Sequence, residues 1–74
     1  MKKVEGQFVL CIKNEGSEDL EVRKIYEVLP DDSAAKDGYM RIIDESGEDY
    51  LYPESYFYPV KLTQNVRETL LQAA

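Results

Sequence analysis

Residues 38–60 read GYMRIIDESGEDYLYPESYFYPV. Within this stretch, two β-forming runs, residues 39–43 and 49–52, flank the sequence Asp-Glu-Ser-Gly at positions 44–47. That sequence favours a type I turn with Gly47 in the left-handed conformation, which is the geometry of a bulged β-hairpin. We therefore predict a hairpin at this position.

A short interruption separates this hairpin from the last predicted strand. Pro53 fixes its own φ and Ser55 can bond to the nearby backbone, so residues 53–56 favour a single helical turn. Residues 57–62 follow as the closing strand. They include Pro59, which a sheet tolerates only at an edge or a bulge.

The N-terminal half predicts two further strands. Residues 8–13, FVLCIK, are rich in β-formers and end at the turn-forming sequence Asn-Glu-Gly-Ser. Alternation places Phe8, Leu10 and Ile12 on one face of this strand, with Val9, Cys11 and Lys13 on the other.

Residues 20–29, LEVRKIYEVL, predict a long and strongly bent strand, which Pro30 terminates. The polar sequence PDDSAAKDG at 30–38 predicts a loop with one helical turn through Ala34 and Ala35. Gly38 then suits the chain's return to a strand.

The C-terminal sequence predicts a short helix. Thr63 is a suitable N-cap for QNVRETLLQAA, residues 64–74, in which an apolar stripe runs along one side. The stripe consists of Leu62, Val66, Leu70 and Ala73. A helix of this length is marginal alone, so it either docks on the strands, frays, or pairs with a second copy. The chain is accordingly expected to be a monomer or a weak homodimer through this helix.

Length and charge limit the classes of function. The 74 residues suffice for one domain, which we divide into a small β-barrel at 1–62 and the helix at 63–74. The formal net charge of -6 and the scattered bases disfavour nucleic acid and anionic lipid. The longest apolar run, residues 8–12, is too short for a signal core or a membrane span. Together with the single cysteine, this predicts a cytoplasmic protein.

The sequence offers little to catalysis or to metal binding. It contains no His, and Cys11 in a β-forming run is expected to be a packed side chain, not a nucleophile. The acids Asp44, Glu45, Glu48 and Asp49 lack the twelve-residue ligand spacing of a calcium loop, so a solvated turn is expected. We predict no enzyme activity, no catalytic residue, no metal and no cofactor.

Five short strands with a helical turn before the last resemble the Src-homology-3-like barrel. The local match is PESYF at 53–57, which resembles that family's Pro-Ser-x-Tyr-Val turn at Pro53, at Tyr56 and at the following apolar residue. By this resemblance, Pro53 and Tyr56 would line a groove for proline-rich ligands. The chain has no Trp and no Ala-Leu-Tyr-Asp-Tyr stretch, so the resemblance implies shared topology and leaves the ligand open. The whole chain also resembles a group of short bacterial conserved proteins of unassigned function.

Tyrosine is the unusual feature of the composition. Tyr50, Tyr52 and Tyr56 lie close together around Pro53, and these four residues are the candidate binding surface for a protein or peptide partner. The alternative for each tyrosine is packing with its hydroxyl at the rim. An acidic surround would suit a basic or Arg-containing peptide. The sequence thus predicts a protein-protein interaction or accessory module, and the alternative is a single-stranded nucleic-acid-binding barrel.

Overall fold

The computed structural model describes residues 7–72. These residues form five strands, two α-helices and one 3-10 turn. In chain order the elements are β1 (Gln7–Cys11), β2 (Ile25–Leu29), α1 (Asp32–Lys36), β3 (Tyr39–Ile43), β4 (Asp49–Pro53), the 3-10 turn η1 (Glu54–Tyr56), β5 (Phe57–Val60) and α2 (Gln64–Gln72). Predictions for residues 1–6 and for Ala73 and Ala74 concern positions outside this range.

The five strands form one antiparallel sheet in the order β4-β3-β2-β1-β5. Strands β4 and β5 are its two edges, and no ladder joins them within residues 7–72. The mainly β fold, the five strands and the tight turn before the last strand are confirmed. The sheet, however, is open and not closed into a barrel.

The predicted hairpin is confirmed as β3, β4 and their turn. Gly47 has a φ of 86° and its N–H donates to the Asp44 carbonyl at 2.9 Å. The Asp44 N–H in turn donates to the Glu48 carbonyl at 3.1 Å. The left-handed conformation at Gly47 is one that a residue without Cβ adopts at no steric cost, which explains its place in the turn.

The strand predicted over residues 20–29 is wrong in its first half, because β2 begins only at Ile25. Cys11 donates its N–H to the Lys24 carbonyl at 2.8 Å and accepts the Arg23 N–H at 2.7 Å. Two residues therefore oppose one, which makes a β-bulge, and Arg23 adopts a φ of 79° there. Leu20, which precedes the bulge in a turn, is only 2% exposed and belongs to the core.

The core lies on one face of the sheet. It is formed by side chains from the strands and from the β1–β2 loop, namely Val9, Cys11, Leu20, Tyr26, Ile42 and Phe57. Val9 and Cys11 share a face, as alternation predicts. Phe8, on the opposite face, is also buried, whereas Ile12 lies beyond the end of β1 and is 49% exposed. Ile12 therefore does not continue the Phe8 face into a packed position.

The polar loop between β2 and β3 contains the predicted helical turn. The Asp31 carboxylate accepts the Ala34 N–H at 3.0 Å and so caps α1 at its N-terminus. Ala34 is the buried residue of this helix. The turn is thus held by its cap and by one small side chain that packs.

The C-terminal elements agree with the sequence in type and differ slightly in extent. Strand β5 ends at Val60, two residues before the predicted end, and Pro59 lies on an edge strand as expected. The Thr63 hydroxyl accepts the Val66 N–H at 3.2 Å, which confirms the predicted N-cap of α2. No residue of α2 between Gln64 and Gln72 is buried. Its docking or pairing with a second copy therefore stays a prediction.

Among residues 7–72, no helix has the length and the apolar character needed to cross a membrane.

Candidate functional site

The four residues proposed from the sequence lie on consecutive elements at one edge of the sheet. Tyr50 and Tyr52 are two residues apart on β4, so their side chains project to the same side. Pro53 ends β4 and precedes η1, and Tyr56 is the last residue of η1. We call the surface formed by Tyr50, Tyr52, Pro53 and Tyr56 the tyrosine edge.

Two of its tyrosines belong to a compact aromatic cluster. The ring centroid of Tyr52 lies 6.5 Å from that of Tyr56 and 6.3 Å from that of Phe57. Tyr56 and Phe57 are 6.2 Å apart. Phe57 is buried, whereas Tyr52 and Tyr56 are partly buried against the core. These separations are typical of stabilising aromatic contacts, so Tyr52 and Tyr56 combine a packing role with a partly open surface.

Tyr50 has a different environment. It is 49% exposed, and its hydroxyl donates to the Glu48 carboxylate at 3.0 Å. This contact raises the pKa of Tyr50 above its ordinary value because the neighbouring negative charge disfavours the phenolate. Of the tyrosine edge, Tyr50 is thus the most available for contact with a partner.

A carboxylate fixes the orientation of Tyr52. The Tyr52 hydroxyl donates to Asp44 Oδ2 at 2.6 Å, and Asp44 is only 5% exposed. Burial raises the pKa of Asp44, but hydrogen bonds donated by Ser46 and Tyr52 outweigh it and hold the pKa below its ordinary value. Burial raises the pKa of Tyr52, and the hydrogen bond that its hydroxyl donates to Asp44 raises this pKa further. Both groups therefore keep their usual charge states, and the ring is held in place.

This finding corrects the expectation of a solvated acidic turn at one position. Glu45, Glu48 and Asp49 are exposed, but Asp44 is buried and accepts the Ser46 N–H at 3.0 Å. An acid followed two residues later by Ser is typical of a side chain that bonds its own turn. That local signal was available in the sequence, whereas the contact with Tyr52 depends on the pairing of β3 with β4.

A second polar link ties the turn of the hairpin to the β1–β2 loop. Glu45 accepts the Tyr26 hydroxyl at 2.7 Å and pairs with the Lys24 ammonium at 2.7 Å. The Tyr26 oxygen also accepts the Glu21 N–H at 2.8 Å. Because Tyr26 is buried, this hydroxyl needs its partners, and the link fixes the loop against the hairpin.

The opposite side of β4 carries an apolar side chain beside an ion-pair network. Leu51 is 46% exposed, and its register partner on β3 is Arg41. Arg41 contacts Asp49 at 2.9 Å and Asp31 at 2.8 Å, which joins β4 to the cap of α1. Exposed apolar side chains therefore flank β4 on both sides, Tyr50 on one and Leu51 on the other.

A cleft of about 520 Å³ lies elsewhere, where β1 and β5 meet the start of the C-terminal segment. Its lining includes Val9, Val28, Met40 and Leu62, and no member of the tyrosine edge contributes to it. Arg67 is the residue of α2 that lines it. No local pattern in the sequence predicts this cleft, because its walls come from segments far apart in the chain.

The single cysteine, Cys11, lies on β1. Cys11 is fully buried, and burial raises the pKa of its thiol, so the expected packing role is confirmed. Within residues 7–72, no group of three or more His, Cys, Asp or Glu side chains is arranged to hold a metal ion.

Comparison with known proteins returned no relative: no family model, no curated protein and no solved structure matches this chain.

Proposed function

We propose that this chain is a non-enzymatic small β module of the Src-homology-3-like type that binds a protein or peptide partner through the tyrosine edge. The observation that carries the proposal is the arrangement on β4. Tyr50 is half exposed and stands beside Tyr52, whose ring is fixed by Asp44 and by the aromatic cluster. Aromatic rings held in place provide contact area at low entropic cost, which is typical of recognition surfaces.

The order of elements supports the topological part of the proposal. The five short strands and the tight turn between β4 and β5 are the features on which the resemblance rests. The rings of Tyr52, near the end of β4, and Phe57, at the start of β5, contact each other across the 3-10 turn that joins the two edge strands.

Charge supports a protein partner over nucleic acid. The chain has a formal net charge of -6. Lys24 is paired with Glu45, and Arg41 is paired with Asp31 and Asp49. Bases held in such pairs are not available to replace counterions on a phosphate backbone. A partner with positive charge would be attracted instead.

The proposal is tested by selecting binders from a random peptide library and mapping them on the isotope-labelled protein by NMR. We expect the largest shifts at Tyr50, Tyr52 and Tyr56, and Tyr50→Ala should weaken binding by about tenfold or more. Tyr58→Ala is the matched control, because Tyr58 is an exposed tyrosine on the other edge strand. Binders that perturb only α2 or the cleft would contradict the proposal.

A further inference from the structure

The outer side of β4 presents backbone groups that no described strand uses. The Asp44 N–H donates to the Glu48 carbonyl, and the Glu54 N–H donates to the Gly38 carbonyl. These two bonds show which residue pairs of the β3–β4 ladder are hydrogen-bonded. Since hydrogen-bonded pairs alternate in an antiparallel ladder, Tyr50 and Tyr52 direct their backbone groups toward β3. Asp49, Leu51 and Pro53 direct theirs away from the sheet.

The outward groups have a defined pattern of donors and acceptors. Asp49 and Leu51 each offer an N–H and a carbonyl, whereas Pro53 offers a carbonyl alone. An added strand could thus bond along β4 as far as Pro53, where the donors end. Tyr50 on one face and Leu51 on the other, both about half exposed, would gain cross-strand contacts from such an addition.

Charges at the two ends of β4 indicate the chemistry of the occupant. Glu48 and Glu54 immediately precede and follow the strand, both are exposed, and neither forms an ion pair with any residue in 7–72. At roughly 3.3 Å per residue they stand about 20 Å apart along the strand. Lysine or arginine at both ends of an added strand would lie near them.

A second copy of this chain fits the same edge poorly. If the β4 strands of two copies paired antiparallel with Leu51 opposite Leu51, the Asp49 carbonyl of each copy would face Pro53 of the other. The backbone nitrogen of proline carries no hydrogen to donate. The acids Glu48 and Glu54 would also meet their like-charged counterparts across the pair. Proline and acids on an edge strand oppose self-association in this way.

We infer that β4 accepts an extended peptide with basic ends as a sixth strand, with its apolar side chains against Tyr50 and Leu51. The inference rests on the proposed function and specifies how that surface binds. Strand addition uses the outward backbone groups for affinity and the flanking side chains for selectivity. It differs from capture of a proline-rich helix, which would contact the rings and leave the backbone of β4 unbonded.

Three synthetic peptides separate these modes. The first has two lysines at each end and alternating valine and threonine between them. The second replaces the lysines by glutamates, and the third keeps the lysines around a proline-rich centre. We expect only the first to bind by adding a strand, with an affinity that falls as salt is raised, because the end charges are exposed.

Amide hydrogen exchange reports strand addition directly. In the free protein the Tyr50 and Tyr52 amides should exchange slowly and the Asp49 and Leu51 amides quickly. With free peptide at about ten times its Kd, exchange at Leu51 should slow by about tenfold. A bound peptide that leaves the Leu51 amide unprotected would overturn strand addition, as would failure of the first peptide to bind.

Substitutions provide a second readout with matched controls. Leu51→Lys should weaken binding of the first peptide by about tenfold or more, because it replaces an apolar contact by a positive charge that repels the lysines of the peptide. Tyr58→Lys introduces the same charge on β5 and should change affinity by less than about twofold. The double variant Glu48→Gln/Glu54→Gln should reduce the salt dependence of the affinity for the first peptide. The control double variant Glu18→Gln/Glu68→Gln should leave that dependence unchanged. Equal effects of each variant and its control would contradict the inference.

The third peptide keeps the inference and the proposed function distinguishable. If only the third peptide binds, and it shifts the NMR signals of Tyr52 and Tyr56, the tyrosine edge is a recognition surface and the strand-addition inference is wrong. If the first peptide protects the Leu51 amide, both stand. If library-selected binders also avoid the tyrosine edge, the proposed function itself fails.

Discussion

The Tyr52 hydroxyl lies 2.6 Å from Asp44 Oδ2, which joins a ring of the candidate binding surface to the only buried charged residue found between residues 7 and 72. Tyr52 and Asp44 lie on the two sides of one hairpin, so the bond exists only when β3 and β4 pair in the observed register. The hairpin that organises the fold thereby also orients the site.

Removing this bond should destabilise the protein measurably. Tyr52→Phe leaves the buried Asp44 carboxylate with one donor fewer, and we expect a loss of about 1–3 kcal/mol in the free energy of unfolding. Urea denaturation measures the change. Tyr50→Phe is the control, because its bond to Glu48 is exposed, and it should cost less than about 0.5 kcal/mol. Equal costs for the two variants would show that the Asp44 bond has no special weight.

Asp44 should also make stability sensitive to acid. Its pKa is lowered in the folded state, so the unfolded state binds more protons as the pH falls, and stability is lost on passing downward through the folded pKa. Denaturation should therefore become easier below about pH 5, where a free aspartate begins to protonate. Asp44→Asn should flatten this dependence relative to Asp49→Asn. An unchanged acid limb in Asp44→Asn would contradict the assignment.

The link between the hairpin turn and the β1–β2 loop gives a separate prediction. Glu45→Ala removes the acceptor of the buried Tyr26 hydroxyl, and a loss of about 1–2 kcal/mol in unfolding free energy is expected. Glu48→Ala, in the same turn, loses only an exposed contact and should stay within about 0.5 kcal/mol of the parent. Thermal and chemical denaturation of both variants would decide the matter, and a neutral Glu45→Ala would refute the link.

Substitution of Leu20 tests whether residues 20–24 form a loop that packs Leu20 in the core, and not the first half of a regular strand. Because its side chain is buried, Leu20→Ala should lower the unfolding free energy by about 2–5 kcal/mol. Val22→Ala in the same loop should have a small effect, since Val22 is 45% exposed. A regular strand over residues 20–29 would instead place Leu20 and Val22 on one face with similar costs.

The elements that the sequence predicts correctly are those that local chemistry determines. The hairpin follows from Gly47 in a turn flanked by β-formers, the helical turn from Pro53 and the start of α2 from the Thr63 cap. These features depend on residues close together in the chain. Pro59 lies on an edge strand, as expected of a residue that has no N–H to donate to a neighbouring strand.

Long-range packing explains what sequence reasoning missed. The alternation of Leu20 and Val22 predicts a strand, but the bulge at Arg23 and the packing of Leu20 from the β1–β2 loop into the core override it. The burial of Asp44 depends on Tyr52 reaching it from β4. In the candidate site, the spacing of Tyr52 and Tyr56 in the sequence predicts that they lie close together. That the backbone groups of Leu51 point away from the sheet follows only from the observed register of β3 and β4.

Binding of a partner at the tyrosine edge on β4 can be measured by NMR titration with a library-selected peptide. We expect the Tyr50, Leu51, Tyr52 and Tyr56 signals to shift together and to saturate at the same peptide concentration. Tyr50→Ala should weaken binding about tenfold, whereas Tyr58→Ala should not. Saturable binding that leaves these signals unchanged, or that Tyr58→Ala weakens as much as Tyr50→Ala, would contradict binding at the tyrosine edge.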